Sequence, residues 1–161
     1  MTLQEYNKCV ENFSDGLYRF IFKNLKDEEY SRDIVQESFE ILWINVDSVY
    51  YEKAKSYLFT TGYHAMIDWI RREKKKIDFE QVNVSRYSHE EQYTDIKEVL
   101  NLAVETLPEK QKTVVLLRDY EGYSYKDIAE ITGFNESQVK VYIYRARLAL
   151  KEFIGKIEFL V

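Results

Sequence analysis

A chain of 161 residues with 45% apolar and 16% aromatic side chains has ample material for a core, which excludes a disordered polymer. No apolar run reaches the ~18 residues that span a bilayer, and the N-terminal stretch lacks a charged-then-apolar leader pattern, so a cytosolic protein without membrane insertion is expected. One cysteine, Cys9, and two histidines, His64 and His89, leave no internal disulfide and no set of zinc ligands; Cys9 is expected to be a buried small apolar group, and neither metal nor cofactor is expected.

One proline and five glycines give too little punctuation for an all-β chain, so an all-α fold is expected. Apolar residues recur at helical spacing in Leu17, Phe20, Ile21 and Leu25, in Ile34, Val35, Phe39 and Leu42, and in Leu58, Ala65 and Trp69. Three amphipathic helices are therefore predicted within residues 1–76.

Residues 77–94 are polar and acidic without a sustained period, and are predicted to be a linker. The net charge of −5 is unevenly spread: residues 1–76 hold 12 basic against 13 acidic side chains, residues 77–105 hold 2 against 7, and residues 106–161 hold 9 against 8. The middle segment thus carries the whole deficit, whether as a soluble spacer extended by self-repulsion or as a segment drawn to a positively charged channel.

A fourth helical pattern begins near Asp95 (Ile96, Val99, Leu100, Ala103), and a fifth begins at Pro108, whose missing N–H suits a first helical turn, and runs to Asp119 with Gly122 ending it. Ser124 with Asp127, and Asn135 with Gln138, have the three-residue spacing of helix N-caps. Between these starts lie a short helix, 125–132, and a turn at Gly133, a residue that tolerates a left-handed backbone. Short helix, turn and longer helix make a helix-turn-helix. The expected architecture is two small helical bundles, 1–76 and 95–161, joined by the acidic linker.

The second helix of this motif has no acidic residue from Ser137 to Leu150 but contains three basic ones. Val139, Ile143, Ala146 and Leu150 form its apolar stripe. Lys140, Tyr144, Arg147 and Lys151 form a column a quarter-turn away, with Ser137 and Val141 beside it and Arg145 further round. A helix of this kind fits the major groove, reading base edges near its N-terminus and meeting phosphates further along. Ser137, Lys140, Val141, Tyr144 and Arg145 are the candidates for that contact; the alternative is an ordinary solvated basic face.

In the first bundle, Asp33, Gln36, Glu37 and Glu40 share one side of the second helix, with Trp43 at its end, either an ordinary surface of carboxylates or a face suited to a basic helical partner. The third helix carries Phe59, Tyr63 and His64, then the basic group Arg71, Arg72, Lys74, Lys75 and Lys76. Aromatic rings stack unpaired bases at ~1–3 kcal/mol each, and a basic groove holds the backbone of a melted strand. Trp69 is expected to be at least partly buried.

"LPEKQKTVVLLRDYEGYSYKDIAEITGFNESQVKVYIYRARLALKEF" resembles region 4 of the extracytoplasmic-function (ECF) sigma factors of bacterial RNA polymerase, although similar helix-turn-helix segments occur in other bacterial regulators. "RDIVQESFEILW" resembles sigma region 2.2, and "KSYLFTTGYHAMIDWIRREKKK" resembles regions 2.3 and 2.4. Two blocks in this order, with a linker between them, are far more specific than either alone.

The resemblance implies a sigma factor that is not itself an enzyme and directs promoter-specific initiation. It implies that Asp33, Gln36, Glu37, Glu40 and Trp43 bind the clamp helices of the β′ subunit of core RNA polymerase, while the second bundle meets the β flap. It implies that Ser137, Lys140, Val141, Tyr144 and Arg145 read the −35 element of promoter DNA. Lys53, Phe59, Tyr63, His64, Arg71 and Arg72 then take part at the −10 element, with a pocket for a flipped base near 50–55. It further implies an anti-sigma partner and a monomer when free. His64 stands where many members carry asparagine, and lacks the paired amide geometry that reads adenine.

Overall fold

The structure, a computed structural model, describes residues 1–80 and 96–158. In the N-terminal half, α1 (Leu3–Leu25), α2 (Glu28–Ile44) and α3 (Ala54–Glu80) pack on one another, with a single 3₁₀ turn at Tyr51–Lys53 leading into α3. The C-terminal half contains α4 (Ile96–Glu105), α5 (Glu109–Val115), α6 (Tyr125–Thr132) and α7 (Glu136–Glu158); α4, α5 and α6 all pack on α7. No helix among the described residues is long and apolar enough to cross a membrane.

Local chemistry sets the helix ends. Thr2 and Glu5 form a reciprocal capping box at the start of α1, satisfying backbone donors that have no partner within the helix. Lys26 then adopts a left-handed conformation (φ 56°) and its N–H reaches the Phe22 carbonyl at 2.7 Å, while Asp27 caps α2 through the Tyr30 N–H. The three predicted N-terminal helices are thus present. The third continues through Glu80, over the first four residues of the expected linker; the rest of that predicted linker, 81–94, lies outside the described residues.

The fifth predicted helix differs in two details. Pro108 stands just before α5 with an extended ψ of 151°, so the helix begins at Glu109. After Val115 the chain widens into a π turn, Leu116–Tyr120, in which the Glu121 N–H bonds the Leu116 carbonyl; Gly122 (φ 77°) then ends the segment. Tyr120, Glu121 and Tyr123, at and just after this turn, meet Lys23, Arg19 and Phe59 of the N-terminal half.

Leu17, Phe20 and Ile21 of α1, Leu42 of α2 and Leu58 and Met66 of α3 are fully buried. Gly62 permits the close approach of α1 and α3: a Cβ there would lie 3.0 Å from Leu17 Cδ1 and 3.1 Å from Ile21 Cδ1. In the C-terminal half the predicted stripe of α7 is inward at Val139 and Ile143, which cluster with Ile128 and Ile131 of α6 and Val114 of α5, and at Ala146, which clusters with Leu107 and Val115, while Leu150 is half-buried. Cys9 is buried as expected.

Both expected bundles are present, but they are not separate. Most of their buried residues form one continuous cluster, with Leu107, Val115 and Ala146 as a small second one in the C-terminal half, and α3 packs directly on α6.

Candidate nucleic-acid interface

The α7 surface is built from its caps. The Gln138 N–H donates to Asn135 Oδ1 at 2.8 Å and the Asn135 N–H donates to Gln138 Oε1 at 3.0 Å, a reciprocal box that fixes the start of the helix. At α6 Ser124 Oγ accepts from the Asp127 N–H, a single-bond cap, and Gly133 (φ 82°) makes the turn between the two helices. On this frame Ser137, Lys140, Val141, Tyr144 and Arg145 all face solvent, with Tyr144 69% exposed. The structure brings these five predicted residues onto one open face.

Arg147, in the same basic column, is committed elsewhere: it grips Asp119 through two hydrogen bonds of 2.6 and 3.2 Å, tying α7 to the π turn. Arg118 lies 4.6 Å from the Tyr125 ring and donates to the Tyr123 carbonyl. These contacts hold the turn; they leave Lys140 and Arg145 as the outward cations of the N-terminal part of α7.

The α2 surface is equally open. Asp33, Gln36, Glu37, Glu40 and Trp43 are all exposed and fall on one face, with Gln36 Nε2 donating to Glu40 Oε1 at 3.2 Å. Sequence reasoning missed the support for Trp43. Tyr6 of α1 packs edge-on against it at 5.0 Å between ring centroids, and anchors itself by donating its hydroxyl to the Phe39 carbonyl.

The α3 candidates are divided. Lys53, His64, Arg71 and Arg72 are exposed, but about 25 Å of helix separates Ala54 from Arg71, so they do not form one compact cluster. Phe59 is 1% exposed and Tyr63 8%. The Phe59 ring is enclosed between Phe20 at 5.7 Å and Tyr123 of the other half at 5.2 Å. Tyr63 lies beside Glu109, and burial first, then that carboxylate, push its hydroxyl pKa up against an opposing pull from Arg71. In this conformation neither ring can stack a base. Trp69 is half-buried against Tyr30, as expected.

A second feature that sequence reasoning missed is a basic group at the C-terminal end of α1: Arg19 and Lys23, one turn apart in the helix, and Lys26, its left-handed cap residue. Arg19 pairs with both oxygens of Glu121 at 2.9 Å, Lys23 stands 3.8 Å over the Tyr120 ring, and Lys26 meets Glu105 at 2.7 Å. The spacing was readable as a signal. Its partners, as far as 102 residues away, were not.

An all-α chain with a capped helix-turn-helix at one end and an exposed acidic helix face at the other has the organisation of a two-region transcription factor. Residues 9–76 match the family model described as Sigma-70 region 2, and residues 97–150 match Sigma-70, region 4. The RNA polymerase sigma factor SigV of Bacillus subtilis is 33% identical over 141 residues, covering 86% of this chain and 84% of that one. The ECF RNA polymerase sigma factor SigM of the same organism is 28% identical over 164 residues, covering 97% of each. The fold is shared with the sigma factor RpoE of Bartonella quintana, solved in complex with the anti-sigma factor NepR, at a TM-score of 0.79, 22% identity and 95% and 98% coverage of the two chains. The chain belongs to the ECF sigma factors of bacterial RNA polymerase. It binds core polymerase and promoter DNA, and directs promoter-specific initiation as a DNA-recognition subunit.

Proposed function

We propose that residues 95–161 read the −35 element through Ser137, Lys140, Val141, Tyr144 and Arg145, and that residues 1–76 dock on core polymerase through Asp33, Gln36, Glu37, Glu40 and Trp43. The observation that carries this reading is the position of both sets on open faces, one at the capped start of α7 and the other along α2. Lys53, Phe59, Tyr63, His64, Arg71 and Arg72 serve the −10 element once Phe59 and Tyr63 are uncovered, with residues 77–94 as the connection. The protein acts in the cytoplasm and is monomeric when free. An anti-sigma factor is its regulator, a reading supported by the neighbours solved with such partners.

With 12 basic against 13 acidic side chains in residues 1–76, and 9 against 8 in residues 106–161, neither flank carries the charge excess that gives tight binding to free duplex. Polymerase supplies the missing affinity by holding both halves on one promoter. The test is transcription reconstituted with core polymerase. Arg145→Ala is expected to lower −35-dependent initiation about tenfold, as loss of one base contact worth ~1–3 kcal/mol implies, while core binding is unchanged. Equal transcription from the variant removes Arg145 from the site, and nanomolar binding of the isolated chain to duplex at physiological salt contradicts the tethering account.

A further inference from the structure

The outward face of α7 is not uniformly basic. At about 100° of rotation per residue, Val141 stands opposite the inward stripe of Val139, Ile143 and Ala146, and Ser137, Tyr144 and Leu148 fall within about 60° of it. Val141 is 43% exposed and Leu148 46%, with Tyr144 more open still. Tyr142, between Val141 and Ile143 in the chain, is half-buried and packs on Phe134 at 5.4 Å. The outward cations lie to either side of the centre: Arg145 about 40° round in one direction and Lys140 about 100° in the other. The middle of the face is therefore aliphatic and aromatic, and its rims are charged.

A helix lying in the major groove turns its centre to the base edges, while long cationic side chains on its flanks reach bases or phosphates at the groove walls. Cations on both rims suit that position. An apolar centre makes a further demand, because the base edges in this groove present donors and acceptors with one apolar exception, the C5-methyl group of thymine. Valine is suited to meet it. Branching at Cβ holds its χ1 in one well within a helix, so its methyl groups have a fixed place and lose little freedom on contact. Val141 lies about 7 Å along α7 from Glu136, in the N-terminal part of the helix that reaches base edges, whereas Leu148 lies about 10 Å further on.

We propose that Val141 reads the C5-methyl group of a thymine in the −35 element, and that this apolar contact, not a hydrogen bond, selects the base at that position. Ser137 and Tyr144, before and after Val141 on the same face, border the contact. Cytosine in that place turns its amino group toward an aliphatic side chain that cannot accept from it, so the site also discriminates against the other pyrimidine. The inference rests on the −35 reading of α7 and adds the base that its central residue selects.

The test uses the full chain with core polymerase and duplex promoters carrying a randomised −35 region, from which transcribed templates are selected. Thymine is expected at one fixed position. Each thymine of the selected element is then replaced in turn by deoxyuridine, which removes the methyl group and keeps the base pairing. At one position this is expected to lower initiation about fourfold, the size of one methyl group lost from an apolar contact. In Val141→Ala the same replacement is expected to have no effect. Val141 is exposed and alanine is the better helix former, so the variant keeps its fold. The proposal is overturned if no deoxyuridine lowers initiation, or if the sensitive position keeps its full sensitivity in Val141→Ala. Sensitivity that persists in Val141→Ala and disappears in Tyr144→Ala overturns it as well, and gives the methyl group to the tyrosine. Arg145→Ala on the same templates separates this inference from the reading beneath it. If that variant still lowers −35-dependent initiation while the deoxyuridine series is flat, the −35 face stands and only the thymine contact falls.

Discussion

The basic faces of α7 and α3 have similar chemistry and opposite accessibility. On α7, Lys140, Tyr144 and Arg145 point into solvent because the helix buries its other side under α4, α5 and α6. On α3, two of the rings that give its face meaning are buried: Phe59 between Phe20 and Tyr123 of the other half, and Tyr63 beside Glu109. A face of cations and aromatics is attractive to nucleic acid, and for the same reason it is attractive to carboxylates and rings of its own chain. Which one occupies it depends on the rest of the fold.

The comparison breaks most severely at Tyr123. It is 5% exposed and contacts both Phe59 and Lys55, so Tyr123→Ala is expected to cost about 3–5 kcal/mol in urea unfolding, as cavities left by large aromatics do. The exposed α7 face should be unaffected, so duplex −35 binding within the polymerase complex survives wherever the protein still folds. The next effect belongs to Arg19. Arg19→Gln leaves the buried Glu121 carboxylate without its forked partner and is expected to cost ~1–3 kcal/mol, with high salt reducing the difference from the parent because Arg19 is itself half exposed.

Asn135→Ala tests the other side. Loss of the cap is expected to cost about 1 kcal/mol and to loosen the start of α7, where Ser137 and Lys140 sit, without opening the α3 face. The smallest effect is at alkaline pH. Burial raises the pKa of Tyr6, Tyr63, Tyr120 and Tyr123 above the ordinary tyrosine value near 10. The folded state then holds protons that the unfolded state releases, so this contribution is complete below pH ~10 and declines as pH rises above it. Tyr123→Phe removes a buried hydroxyl that has no partner, and is expected to leave stability near neutral pH equal or slightly higher while reducing the alkaline decline. An unchanged decline would assign it to the other tyrosines.

Much of the site was readable before any coordinates. The caps at Ser124 and Asn135, the turn at Gly133 and the inward stripe of Val139, Ile143 and Ala146 all rest on interactions within a few residues, and each stands as read. The acidic face of α2 was legible for the same reason. Phe59 and Tyr63 were legible only as aromatics at helical spacing. Periodicity shows that a ring seeks cover, but not whether a base or another helix provides it. The widening of the fifth helix after Val115 escaped notice too, because a π turn differs from an α turn by one residue in its hydrogen bonds and not in composition.

By itself, then, the sequence determined the helices, the caps at Ser124 and Asn135, the helix-turn-helix and the three polar faces, because caps, turns and amphipathic period are local and each is satisfied within one or two turns of chain. Only the tertiary structure decided that α1 ends in a working basic group, that Glu121 answers Arg19 across 102 residues, and that the face on α3 is covered while the one on α7 is open. Those outcomes depend on which charged and aromatic surfaces meet when two bundles pack, and complementarity between distant segments leaves no mark in the spacing of either one.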